Sequence, residues 1–126
     1  MILSDFEIDV MKVIWRKKEC SAPGVHEEIV RDKDVTYSTV KTIIDRLEKK
    51  GAVSRARSEG RTIFMRAAIS PESVQVSMLD RLVNHVFAGE RWPLLNHLLR
   101  DEKLSAEDVE YIQALLRERQ GRTQDD

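Results

Sequence analysis

From Thr36 to Arg66 the chain carries two hydrophobic periods in succession. Val40, Ile43, Ile44 and Leu47 fall at i, i+3, i+4 and i+7, the spacing that gathers apolar side chains on one buried stripe of a helix. At about 100° per residue, the opposite direction holds Ser38, Lys41, Thr42, Asp45 and Lys49, with Thr39 and Arg46 on its flank. Thr36 offers an N-cap oxygen, and Gly51, after Lys49 and Lys50, offers the left-handed residue that ends helices. Beyond Gly51 the period becomes two. Val53, Arg55 and Arg57 alternate with small residues, and Thr62, Phe64 and Arg66 alternate with Ile63 and Met65, which predicts a β-hairpin turning at residues 58–61.

The same reading extends to both sides. Ser4 and Glu7 form a capping box ahead of Ile8, Met11, Ile14 and Trp15, predicting a helix that stops near residues 16–18. Ser21 caps a second helix with Pro23 in its first turn and Val25, Ile29 and Val30 inward, and Gly24 weakens it. A polar link at residues 32–34 leads into the long helix. Helix, helix, helix, hairpin is the order of a winged helix-turn-helix, whose third helix enters the major groove. Ser70 and Pro71 then open a fourth helix with Val74, Met78, Leu79, Leu82, Val83, Val86 and Phe87 apolar, ending at Gly89. A fifth is expected over residues 91–102, with Trp92, Leu94, Leu95, Leu98 and Leu99 apolar. A sixth starts at Ser105, boxed with Asp108, and carries Val109, Ile112, Leu115 and Leu116. The expected fold is mainly α with a small β-hairpin wing: a winged helix-turn-helix domain at 1–69, a three-helix dimerisation region at 70–120 and a flexible tail at 121–126.

Charge adds direction to this plan. Residues 36–66 hold eight Lys or Arg against three Asp or Glu, in a chain whose formal net charge is −1. A basic helix and hairpin can neutralise phosphates, each released counterion adding affinity that salt removes. On this reading Tyr37, Lys41, Lys49, Lys50, Arg55, Arg57 and Arg61 contact the DNA backbone, and Ser38, Thr39, Thr42 and Arg46 read base edges. The bland alternative is a solvated charged face. Tyr37 has two readings, stacking on a sugar or packing on the second helix, and Asp45 is placed to pair with Lys41 or Lys49 at i±4.

The three later helices are short and apolar, within about 50 residues, too few for a core of their own. A second copy of the chain would cover Leu79, Leu82, Val86, Leu95, Leu98, Leu99, Ile112, Leu115 and Leu116; the alternative is that they fold back on the first half. Trp15 and Trp92, on apolar stripes, are expected in the core. His26, His85 and His97 show no i, i+4 pairing with one another or with Cys20, so neither a metal site nor a cofactor is expected. Cys20, the single cysteine, excludes an internal disulfide and falls in an expected turn, as a small residue or an oxidant-sensing thiol. No nucleophile elbow, Gly-rich phosphate loop or paired acid/base signature supports an enzyme. No run of about 18 apolar residues is present, and the start, MILSDFEIDV, carries acids where a signal peptide is basic, which predicts a cytoplasmic chain without membrane insertion.

Three segments carry a resemblance. S-D-x-E-x-x-V-M-x-x-I-W at Ser4 to Trp15, T-V-K-T-I-I-D-R-L-E-K-K-G at Thr39 to Gly51, and L-S-A-E-D-V-E from Leu104 resemble the penicillinase-repressor family of BlaI, MecI and CopY type. The resemblance spans nearly the whole chain. It implies a homodimeric winged-helix repressor on a palindromic operator, dimerised through its C-terminal helices and read through Ser38, Thr39, Thr42 and Arg46. Many members read W-S-P-K-T where this chain has Val35-Thr36-Tyr37-Ser38-Thr39, so Tyr37 stands for the usual proline and Ser38 for the usual lysine. Members controlled by a sensor-protease pathway carry an Asn-Phe bond shortly before the final L-S. Here the candidate cleavage segment is Asn96, His97 and Leu98, and neither Asn96-His97 nor His97-Leu98 matches. The paired C-terminal cysteines of the copper-responsive branch are absent, which excludes that route. Outside the family, the competing reading is a winged helix serving as a protein-interaction module without sequence-specific DNA binding.

Overall fold

Hydroxyl caps set where the first helices begin. In the computed structural model, which describes residues 1–124, Ser4 Oγ accepts from the Glu7 amide while Glu7 Oε1 accepts from the Ser4 amide, a closed capping box opening α1 (Asp5–Lys17). Ser21 Oγ accepts from the Gly24 amide to start α2 (Ala22–Ile29), and Thr36 Oγ1 accepts from the Thr39 amide to start α3 (Tyr37–Lys50). Gly51, at φ 82°, ends α3 in the left-handed region where a Cβ would be strained. The wing follows as β2 (Val53–Glu59) and β3 (Thr62–Ala67), and then come α4 (Pro71–His85), α5 (Trp92–Leu99) and α6 (Ala106–Gln124).

One strand was not foreseen. Glu19–Ser21 forms β1, pairing antiparallel with β3 so that the sheet runs β1-β3-β2. Cys20 therefore lies buried opposite Met65, not in a turn. The centre of the first unit is a contact of three helices and this sheet. Val10, Met11 and Ile14 of α1, Val25 of α2, and Val40, Ile44 and Leu47 of α3 are almost wholly out of water, with Met65 and Val53 closing the sheet side. Fully burying such a side chain is worth about 1.5–3 kcal/mol. The buried stripe of α1 is rotated from the expected one: Glu7, Val10, Met11 and Ile14 fill it, while Ile8 and Trp15 are half-buried at its border. Trp15 there donates its indole N–H to the Ile69 carbonyl at 2.9 Å. Val30, expected inward, is exposed.

The chain divides into two compact units, Met1–Asp80 and Arg81–Asp126, with the division inside α4. The physical reason is burial: Val74 is in the first unit's core, Met78 packs against it, and the Met1 ammonium donates to Ser77 Oγ. In the second unit Val83 is buried, and Ser105 and Asp108 form the expected reciprocal cap of α6. Trp92 is 76 % exposed, contrary to its expected place in a core. α5 is shorter than expected, and α6 continues through residues 121–124, where a tail was expected; residues 125 and 126 lie outside the described residues. No helix among the described residues is long and apolar enough to cross a membrane.

Gly24 has a packing reason for its place in α2. A Cβ there would sit 2.8 Å from Cys20 Sγ and 3.2 Å from Ser21 Oγ, the oxygen that caps the helix. Gly24→Ala should therefore lose stability by about 1 kcal/mol or more despite alanine's better helix propensity. Combining it with Cys20→Ala, which removes the clashing sulfur, should cost less in urea melts than the two single losses added; strict additivity would contradict the clash.

Candidate nucleic-acid interface

With its apolar stripe on α1, α2 and the sheet, α3 turns Ser38, Thr42, Asp45 and Lys49 outward and leaves Thr39 and Arg46 exposed on one flank. The hydroxyls at its start are already engaged. Thr36 Oγ1 lies 2.9 Å from Thr39 Oγ1 and 3.2 Å from Ser38 Oγ, and Thr42 Oγ1 donates to the Ser38 carbonyl at 2.9 Å. Such hydroxyl rotors can exchange a protein partner for a base edge without moving the backbone. Tyr37 packs on the second helix, its ring meeting His26 of α2 edge-on with centroids 6.0 Å apart, while its side chain stays exposed. His26 also hydrogen-bonds the Val35 carbonyl at 2.9 Å, fixing the chain just before α3 begins.

The cations divide into committed and uncommitted groups. Lys41 pairs with Asp45 at 2.6 Å, the i, i+4 partner expected of it. Arg55 Nε donates to Glu48 at 3.1 Å, and Arg57 binds both Glu19, at 2.8 Å, and Glu59. Lys50 Nζ donates to Glu7 Oε1 at 2.8 Å. Among the described residues no ion pair or side-chain hydrogen bond holds Arg46, Lys49 or Arg61, and all three are exposed. Lys50 and Arg57, expected as phosphate contacts, are thus bound within the protein, Lys50 by a carboxylate that is itself buried.

Arg55 and Arg57 also face opposite ways, against the period-two expectation. The register shifts between them, with Arg55 opposite Met65 and Arg57 opposite Phe64, so Ala56 is an extra bulged residue. Cross-strand partners share a face. Arg55 therefore lies on the Met65 side, towards α3 and Glu48, while Arg57 lies over the Phe64 ring at 4.0 Å and reaches across β3 to Glu19. The hydrogen bonds that Arg57 donates to Glu19 and Glu59 push its pKa still higher. A cleft between α3 and the hairpin is floored by Ile44 and Met65 and walled by Tyr37, Lys41, Arg55 and Ile63.

Of the acids that hold these cations, the sequence reading names Asp45 for Lys41 and Glu7 only as a cap, and it misses Glu19, Glu48 and Glu59. Glu7 left one signal, since it completes the i, i+3, i+4, i+7 set with Val10, Met11 and Ile14. Burial raises the Glu7 pKa, but the hydrogen bonds from Lys50 and Ser4 outweigh it and hold the carboxyl below its ordinary range. Burial pushes the Cys20 thiol up, which works against the oxidant-sensing reading. Among the described residues no cluster of His, Cys, Asp or Glu is set to hold a metal. Of the residues expected to pair two copies, Leu79 of the first unit and Leu82, Val86, Leu95, Leu98, Leu99, Leu115 and Leu116 of the second are exposed, and Ile112 is half-buried. Asn96, His97 and Leu98 lie exposed within α5.

Comparison with known proteins agrees with this geometry. The family model described as penicillinase repressor matches residues 3–118. The penicillinase repressor of Staphylococcus aureus is 30% identical over 90% of each chain. The methicillin resistance regulatory protein MecI of Staphylococcus aureus strain N315 is 32% identical over 90% of this chain and 92% of its own. Among solved structures, the DNA binding domain of the repressor BlaI matches with a TM-score of 0.50 and 33% identity, over 55% of this chain and 83% of that one. A MarR variant from E. coli complexed with operator DNA matches in fold, with a TM-score of 0.52 and 16% identity over 92% of this chain and 74% of that one. The chain belongs to the penicillinase repressor family, DNA-binding repressors of transcription and not enzymes.

Proposed function

We propose that this repressor binds double-stranded operator DNA as a homodimer, each copy laying α3 in a major groove and its hairpin along the flanking phosphates. The observation that carries the reading is the outward face of α3, where exposed Arg46 and Lys49 hold no ion pair among the described residues. Base edges fall to Ser38, Thr39, Thr42 and Arg46, the last able to fork onto a guanine. Lys49 and Arg61 neutralise phosphates, Tyr37 packs on a sugar, and Lys41 and Arg55 join them by exchanging one carboxylate for a phosphate. Lys50 and Arg57 are left out, because the carboxylate that holds Lys50 is buried and two carboxylates hold Arg57. Operator binding implies a cytoplasmic protein.

Two copies would place two recognition helices on half-sites related by a two-fold axis. Support comes from the second unit, where Leu82, Leu95, Leu98, Leu99, Leu115 and Leu116 lie exposed although burying each one is worth about 1.5–3 kcal/mol. A sensor-protease pathway acting on Asn96 to Leu98 would have to unwind α5 first, which ties induction by cleavage to loosening of this unit.

Arg46→Ala should weaken binding to the operator by about 1–3 kcal/mol while leaving affinity for random sequence nearly unchanged. Lys49→Ala should weaken both alike and flatten the plot of log affinity against log salt by about 0.9. Fluorescence anisotropy on the two duplexes separates the roles, and a sequence-selective loss at Lys49 would contradict the assignment. The paired change Leu95→Glu and Leu98→Glu should yield a folded monomer by sedimentation, with operator affinity reduced at least tenfold, on the order of one lost half-site. Persistence of the dimer would put the interface elsewhere.

A further inference from the structure

Glu7 is placed to do more than cap a helix. It is 1 % exposed, lies at the third position of α1, and accepts with one oxygen both the Ser4 amide and Lys50 Nζ, each at 2.8 Å. Its other oxygen, Oε2, is buried with no partner among the described residues. Glutamine would close the same capping box. What the carboxylate adds over glutamine is its charge, and the contact that uses this charge is Lys50. A buried ion pair is weak evidence of stabilisation, since desolvation consumes much of the Coulombic gain.

The position of Lys50 on α3 suggests what the charge is for. Four residues beyond Arg46, it lies on the same flank as Arg46 and Thr39, about 6 Å further along the axis. Its side chain is still 36 % exposed, and among the described residues its one ion pair, with Glu7, turns the ammonium towards α1. Freed, it would add a mobile cation beside the residue that reads bases, and such a cation grips every phosphate alike. Resting on the assignment of α3 as the DNA-reading helix, we propose that Glu7 is a positioning residue for DNA binding, which withdraws Lys50 from the phosphate backbone and so limits affinity for non-operator sequence.

The test uses the full chain and a random-sequence duplex, with affinity measured across a salt series. Glu7→Gln keeps the cap and releases Lys50, so affinity at low salt should rise several-fold and the salt slope should steepen by about one unit. The double variant Glu7→Gln with Lys50→Met should return to the wild-type slope. Lys50→Met alone should also keep that slope; should the buried, unpaired Glu7 stop it folding, the double variant still reports on the lysine. A wild-type slope for Glu7→Gln, or a double variant flatter than wild type by about one unit, overturns the proposal, the latter by showing that Lys50 touches phosphate in the unaltered protein. The assignment of α3 fails separately: wild-type protein would then show no preference for any sequence selected from fragmented genomic DNA.

Discussion

Val40, Ile43, Ile44 and Leu47 must leave water together, and the side of α3 that faces outward follows from that requirement. The candidate recognition surface is what remains of the helix after its core stripe has been satisfied. Its orientation is then secured at both ends by groups outside the helix. At the start, Thr36 caps it and His26 holds the Val35 carbonyl. At the finish, Gly51 turns the chain and Glu7 ties Lys50 to the beginning of α1. A helix held only by apolar packing can rock on its stripe, because dispersion and the hydrophobic effect carry little direction. Hydrogen bonds at its two ends supply the direction.

The hairpin obeys a different constraint. β3 is the central strand, flanked by β2 and by β1, and Met65, with Val53 and Cys20 on the flanking strands, joins this sheet to the helical core. Arg57 binds the two edge strands together by crossing β3 to reach Glu19. The wing is thus anchored through a cation that sequence composition alone would assign to DNA. Positive charge in this unit is of two kinds, paired within the scaffold as at Lys50 and Arg57, or exposed without an ion pair among the described residues as at Arg46, Lys49 and Arg61, and the two kinds are interleaved along the chain.

Much of the first unit was legible because its signals are local. Caps at Ser4, Ser21 and Thr36 act within three residues, and the stripe of α3 is a property of one helix. Strand β1 left no such signal: three residues, Glu19 to Ser21, take strand form only because β3 passes beside them more than 40 residues later. The candidate site divides in the same way. Its outward face followed from helical period alone, whereas the pairing of Lys50 with Glu7 and of Arg57 with Glu19 spans 43 and 38 residues and depends on how the elements pack. Trp92 failed for another reason. Periodicity marks an apolar face but not what covers it, and in an isolated chain that face meets water.

The extra residue in β2 bears on how this wing is compared with others. Before Ala56, odd-numbered residues lie on the Met65 side of the ribbon; after it, even-numbered ones do. Spacing along the strand therefore changes its meaning at one position, and two arginines a dipeptide apart occupy neighbouring rows of the sheet. A relative with one residue fewer at this point can present the same two surfaces through regular pairing. An ungapped alignment of the two would match residues that face opposite ways, so divergence at the tip of the wing is measured by strand register and not by residue count.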